Sequence, residues 1–191
     1  MATTLEPAAV GRMTAEAFAV RPWDATKCEL VRGELRPISI PFPRHGQLCS
    51  NIAYLLRLFC EQHTLGRVLS NDSGVVTERD PDSVRGADVA FYSYARVPVG
   101  RIAPGAYLGA MPEVVFEVRS WTDRWADIHE KIGEYLAAGV GTVVVLDDRT
   151  EQIFTFPPGD DGVPRIFAGD VPLELPAPLD GWRVPARRFF E

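Results

Sequence analysis

From Pro112 to Gly139 the chain reads PEVVFEVRSWTDRWADIHEKIGEYLAAG. Its first part, Glu113 to Arg119, has the Val- and Phe-rich character of a strand. A Ser-Trp-Thr-Asp turn follows, and then an amphipathic helix that carries Lys131. One residue breaks the pattern: Glu117 puts a carboxylate in the middle of the apolar run. Burying an ionised carboxylate is costly unless something compensates its charge. A metal ion or a neighbouring cation would do so, and the rest of the chain is expected to bring such partners to Glu117.

A length of 191 residues is enough for one domain with a sizeable core, spanning 1–191 with 1–12 as a loose tail. The formal charge of −6 argues against passive coating of DNA or RNA, which rests on Lys and Arg neutralising phosphates. It leaves room for an enzyme acting on phosphodiesters, which needs a local acidic cluster for metal and a local basic rim. The basic residues are mostly Arg, with Lys27 and Lys131 the only lysines. No apolar run approaches the roughly 18–20 residues of a membrane span, and the N-terminus lacks the pattern of a signal peptide. Cys28, Cys49 and Cys60 form no C-x-x-C pair, which fits a reducing cytoplasm and supports neither a disulfide framework nor a zinc site.

Thr14 is placed to cap a short helix reaching Val20, ended by Arg21-Pro22-Trp23-Asp24. Residues 28–31 and 34–36 read as two short strands about a turn at Arg32-Gly33. Ile38 to His45 reads as a loop because of Pro41 and Pro43. From Gln47 to His63, Leu48, Ile52, Leu55, Leu56 and Phe59 make one apolar helical face, with Gly66 at the expected C-terminal cap. Residues 67–70 and 74–77 read as strands separated by an Asn-Asp turn, and 87–92 as a buried strand. Tyr94 to Met111 is a long Gly- and Pro-rich loop. Beyond the central stretch, Thr142 to Leu146 and Gln152 to Phe156 pair as a hairpin, Pro157 to Pro164 turns, and short β-like pieces fill the tail. The sum is an α/β protein with a mixed central sheet flanked by helices, without internal repeat or interdomain linker.

Asp88 shares the anomaly of Glu117, an acid inside an apolar strand pattern. Adjacent strands would set the two carboxylates side by side, where Mg²⁺ relieves their repulsion and holds water and a substrate phosphate. The alternative for either acid is an arginine partner or a solvated strand end. On the helix, Trp125, Ile128, Ile132, Tyr135 and Leu136 fill one arc, with Lys131 at its edge. Its ammonium can aim at the preceding strand, or it can be solvated and paired with Glu134 or Asp127. Glu29 and His45 flank the start of the second helix, and His45 can serve as base, ligand or phosphate donor. His63 and His129 read as structural. Phosphate-loop, dinucleotide and G-x-S-x-G motifs are absent.

The order of motifs carries a resemblance: Cys28-Glu29-Leu30-Val31-Arg32-Gly33-Glu34-Leu35, Pro43-Arg44-His45-Gly46, Ala87-Asp88-Val89-Ala90-Phe91, Val114-Val115-Phe116-Glu117-Val118, and Lys131-Ile132-Gly133-Glu134-Tyr135-Leu136 through Val140. It resembles the Uma2 family, which looks like a branch of the restriction-endonuclease-like PD-(D/E)XK nuclease superfamily. The resemblance covers about Met13 to Phe156. It implies a restriction-endonuclease-like core and Mg²⁺-dependent (or Mn²⁺-dependent) phosphodiester hydrolysis of nucleic acid, DNA in the first instance, by a homodimer. Asp88 matches the aspartate of the PD motif and Glu117 the acid of (D/E)XK. Lys131 matches the motif's lysine, moved onto the helix. Glu29 matches the N-terminal acid and His45 the family's His-Gly. Asp88, Glu117 and the carbonyl of Val118 would hold the metal. The sequence departs at Ala87, which replaces proline, at Arg119, where the superfamily has lysine, and at Trp121 within the family's Ser-Pro-Ser. Arg119 would assist Lys131 or pair with Glu117; Trp121 would stack on a base or cap the cleft. Two rivals stand beside the nuclease: a catalytically inactive nuclease-fold dimer that binds nucleic acid or protein, and a hydrolase using a similar metal site on a nucleotide.

Overall fold

The computed structural model describes residues 12–22, 27–159 and 162–191. The expected tail is outside this set up to residue 11, as are Trp23 and Asp24 of the first helix stop and residues 160–161 of the Pro157–Pro164 turn. The elements in chain order are α1 (Ala15–Ala19), β1 (Cys28–Val31), β2 (Glu34–Pro37), α2 (Pro43–His63), β3 (Gly66–Glu78) and β4 (Ser83–Ser93). There follow β5 (Val114–Arg119), α3 (Trp125–Ala138), β6 (Thr142–Asp147), β7 (Gln152–Phe156), β8 (Arg165–Ala168), β9 (Pro172–Leu173), β10 (Val184–Pro185) and a 3₁₀ turn at Ala186–Phe189. No described helix is long and apolar enough to cross a membrane.

The sheet is mixed. The run β5–α3–β6 is a crossover that sets β5 and β6 parallel, in register from Val114↔Thr142 to Arg119↔Asp147. β7 and β8 extend that side antiparallel. On the other side β5 pairs antiparallel with β4 over Val89↔Phe116 to Phe91↔Val114. Helices cover both faces. α2 lays Leu48, Ile52 and Leu56 against Phe91, Phe116 and Val144, with Leu173, Leu179, Trp182 and Phe189 of the C-terminal segment closing that core. α3 lays Ile128, Ile132 and Tyr135 against Val115, Val143 and Val145 on the opposite face. At about 25 cal/mol per Å² of apolar surface buried, these two clusters dominate the stabilisation of the fold.

Most expected elements form where the pattern places them, and the exceptions have physical causes. Thr14 accepts a hydrogen bond from the amide of Ala17 (3.2 Å) as the cap of α1. The β1–β2 turn takes positive φ at Arg32 and Gly33, the conformation that suits a tight hairpin. α2 begins at Pro43, four residues earlier than expected, because proline is favourable in a first helical turn, where its missing N–H costs nothing. His45 is thereby helical rather than in a loop. The C-cap of α2 is Thr64, in the left-handed region at φ 53, and not Gly66. Gly66 instead opens β3 against β4, where a Cβ would stand 2.2 Å from the carbonyl oxygen of Tyr92. Finally, the expected Asn-Asp turn is a bulge within one continuous strand. Asn71 and Asp72 take positive φ while β3 pairs with β4 on both sides of them.

Candidate active site

The site grows out of a fork in the sheet. Along one edge β4 pairs with β3 from Ser83 to Ser93. Its other edge is shared: β1 meets it at Leu30↔Val84 and β5 at Val89–Phe91. Where the two neighbours diverge, backbone N–H groups lose their strand partners, and a buried N–H without an acceptor is costly. Two carboxylates take their place. Glu29 Oε1 accepts from the amide of Gly86 (3.0 Å), and Asp88 Oδ2 accepts from the amide of Val118 (2.7 Å). Glu29, Asp88 and Glu117 are all nearly buried around this gap.

α3 closes the gap from above. Lys131 stands one helical turn before Tyr135, so both reach the same strand. Lys131 Nζ is 3.0 Å from Glu29 Oε1 and 3.3 Å from Glu117 Oε2, and the Tyr135 hydroxyl donates to Glu117 Oε1 at 2.9 Å. Arg85 anchors the outer side. Its guanidinium binds Glu29 (2.9 Å) and holds Glu134 with two hydrogen bonds of 2.6 and 2.7 Å. From α2, His45 Nε2 stands 3.2 Å from Asp88 Oδ1. Four carboxylates, those of Glu29, Asp88, Glu117 and Glu134, thus share two permanent cations, Arg85 and Lys131.

Burial, more than this imbalance, sets the protonation of the group. Burial pushes the Asp88 carboxyl up to about 7, against the pull of the Val118 amide and Lys131. Burial likewise pushes Glu117 up to about 8, with Asp88 adding to the rise and Lys131 and Tyr135 opposing it. Burial would also raise Glu29, but Lys131 and Arg85 outweigh it and leave that carboxyl below its ordinary value. Burial works against the Lys131 ammonium, yet Glu117, Glu29 and Asp88 hold its pKa above the usual lysine range. His45 is lowered, chiefly by burial, so its imidazole is neutral at pH 7.

A family model described as "Putative restriction endonuclease", Uma2, matches residues 15–187. The chain belongs to the Uma2 family. Among solved structures it is similar to one titled a "putative nuclease belonging to DUF820" from Anabaena variabilis. The TM-score is 0.78 at 15% identity, over 93% of this chain and 97% of that one. At such identity the likeness establishes the fold, a nuclease-like α/β architecture. No curated protein matches.

In this Uma2 chain, Glu29, His45, Asp88, Glu117, Val118 and Lys131 all line one cleft of about 600 Å³. Arg119 is held elsewhere. It pairs with Asp147 at 2.9 Å, donates to the carbonyl of Asp123 and lies over the Trp125 ring, bound neither to Glu117 nor alongside Lys131. Trp121 is 72% exposed, with the Arg149 guanidinium 4.3 Å above its ring. His129 packs against Trp125 and Phe156, and His63 against Phe59. Of the two partners expected for a solvated Lys131, Glu134 belongs to Arg85 and Asp127 to Arg124.

Three residues of the site escaped the sequence reading. Arg85 lies two residues before the strand expected at 87–92, so its place in a buried strand shows only once β4 is seen to begin at Ser83. Tyr135 sits in the apolar arc of α3, where nothing in the sequence distinguishes a filler from a donor. Cys49 lies one turn after His45, with its sulfur 3.5 Å from His45 Nδ1. That spacing is visible only once Pro43 is known to start the helix. Burial, followed by the charge of Asp88, raises the Cys49 thiol far above its ordinary value, so it is no activated nucleophile.

Proposed function

We propose that this Uma2 chain is a Mg²⁺-dependent endonuclease that hydrolyses phosphodiester bonds of nucleic acid, DNA in the first instance. The observation that carries this reading is the convergence of Glu29, Asp88, Glu117 and Lys131 on one cleft, with more buried carboxylate than cation. The donor set fits a hard divalent ion: oxygen ligands, two of them carboxyls that burial keeps protonated to near neutrality. Mn²⁺ takes the same ligands.

Asp88, Glu117 and the carbonyl of Val118 would hold the ion. When bound, it supplies Lewis-acid polarisation of the scissile phosphate and acidification of an attacking water. The protein's own groups do the rest. Lys131 offsets negative charge that develops on the reacting oxygens, and Glu29 aims it, itself fixed by Arg85 and the Gly86 amide. Tyr135 locks one oxygen of Glu117 and the Val118 amide one oxygen of Asp88. His45, with Nε2 3.2 Å from Asp88 Oδ1, orients that carboxylate at the cleft wall. The reading includes a single cytoplasmic domain acting as a homodimer, since cutting both strands of a duplex suits two sites.

The test is cleavage of plasmid DNA and single-stranded RNA with Mg²⁺ by wild type, Asp88→Asn and Glu117→Gln. Loss of cleavage in both folded variants supports the reading; equal cleavage by all three rejects it. One observation favours a second reading, a nuclease fold kept for binding: Lys131 bridges Glu29 and Glu117 and so stabilises a metal-free site. Calorimetry separates the two, because absence of Mg²⁺ or Mn²⁺ binding at millimolar concentration would favour the binding module. Small phosphoesters and nucleotides in the same cleavage screen test a nucleotide hydrolase.

A further inference from the structure

The cleft accounts for one side of Asp88. On another side lies a separate hollow of about 320 Å³, lined by Cys49, Ser50, Ala53 and the β3 bulge at Asn71–Asp72. Pro41, His45, Asp72 and Asp88 line both spaces, while Cys49 lines only the second. His45 and Cys49, at i and i+4, stand on one face of α2. One ligand atom from each of His45, Cys49 and Asp88 can be chosen so that all three lie within 4.8 Å of one another.

We propose that His45, Cys49 and Asp88 form a second cation site, selective for Zn²⁺ over Mg²⁺, that shares Asp88 with the hydrolytic centre. Tetrahedral ligands about 2.0–2.3 Å from a common ion stand roughly 3.3–3.6 Å apart. With Nε2 as the imidazole donor, His45 stands 3.2 Å from Asp88 Oδ1 and 4.0 Å from Cys49 Sγ, one separation just short of that spacing and one just beyond it. Imidazole, thiolate and carboxylate are a zinc donor set, whereas Mg²⁺ takes oxygen ligands and disfavours sulfur. Three protein ligands leave a fourth position, open to the hollow, for water. Zinc binding releases the thiol proton of Cys49 to solvent and leaves a thiolate–zinc bond, with no change of oxidation state. Occupancy of this site withdraws Asp88 from the Mg²⁺ centre, so Zn²⁺ and Mg²⁺ compete. The competition rests on the Mg²⁺ reading above; the zinc site itself does not.

The experiment titrates metal-free protein with Zn²⁺ by calorimetry, and with Co²⁺ by absorption, for wild type, Cys49→Ser, Cys28→Ser and Cys60→Ser. The expected result is one Zn²⁺ per chain and a thiolate-to-cobalt charge-transfer band in wild type and in the Cys28 and Cys60 variants. Cys49→Ser should lose the band and bind Zn²⁺ at least about tenfold more weakly, given that even outer partners of a metal site contribute tenfold or more. Alkylation of wild type, mapped by mass, should show Cys49 protected by Zn²⁺, which decides the matter if the serine variant does not fold. Equal Zn²⁺ affinity in wild type and Cys49→Ser, or unprotected Cys49 at saturating Zn²⁺, would overturn the site. Absence of Mg²⁺ binding with these zinc results intact would overturn the nuclease reading and the competition alone.

Discussion

Neutralising Glu117 is expected to stabilise the metal-free protein at alkaline pH. Its side chain is almost wholly buried, and its carboxyl is raised from 4.5 to about 8 by burial and then by Asp88, with Lys131 and Tyr135 only partly offsetting them. The folded state therefore holds this proton more tightly than the unfolded chain does. The stability contributed by that tighter hold is fully present below pH 4.5 and is lost as pH rises through about 8. One proton changes stability by at most about 1.4 kcal/mol per pH unit, so the window bounds the loss at roughly 5 kcal/mol, of which relaxation and water entry leave about 2–4. In Glu117→Gln the side chain stays neutral, Oε1 can still accept from Tyr135, and Lys131 keeps Glu29 at 3.0 Å. Thermal unfolding in chelator from pH 5 to 9 should show the variant and wild type alike at pH 5. At pH 9 the variant should melt about 5–15 °C higher, at roughly 2–4 °C per kcal/mol for a chain of this size. Saturating Mg²⁺ should shrink the gap, because the ion then compensates the wild-type carboxylate. A gap that does not change with pH, or a variant that melts lower at pH 9, would refute the reasoning.

Mg²⁺ affinity should rise with pH up to about 7–8, by as much as tenfold per unit for each proton displaced, and level off above, since Asp88 and Glu117 must be ionised to bind; calorimetry in buffers of different ionisation heat counts the protons. Arg85→Met should destabilise the fold by about 1–3 kcal/mol in urea unfolding, because it takes the partner of half-buried Glu134 and leaves buried Glu29 with only Lys131 and the Gly86 amide. Arg119→Met should cost stability through Asp147 yet leave Mg²⁺ affinity within about twofold, a prediction that fails if Arg119 serves the cleft.

How much of this was legible in the chain depends on the range of the interaction. Glu117 and Asp88 stood out because a carboxylate in an apolar strand is anomalous in one dimension, whereas the helical arc left Lys131 equally open to a solvated pairing, and only the packing of α3 over β1 and β5 brings it to Glu29 and Glu117. Arg119 was not legible, because its partner Asp147 lies on β6 and meets it only through the parallel register of β5 and β6. Asn71-Asp72 misled for a local reason: left-handed residues mark a bulge as well as a turn, and only pairing of β3 with β4 on both sides distinguishes them.

The fork of β4 could not be read from the sequence at all, and it changes what the acids mean. Each has a backbone duty as well as a chemical one, Glu29 toward Gly86 and Asp88 toward Val118. Truncating Asp88 to alanine would leave a buried amide without its acceptor, at a cost of about 1–3 kcal/mol, and would open the end of β5 that carries Glu117. Asparagine keeps an oxygen for Val118, removes the charge and turns an amide NH2 toward His45. Activity lost in Asp88→Asn with the fold retained therefore reports on the chemistry, whereas the same loss in the alanine variant would report on the fork and the chemistry together.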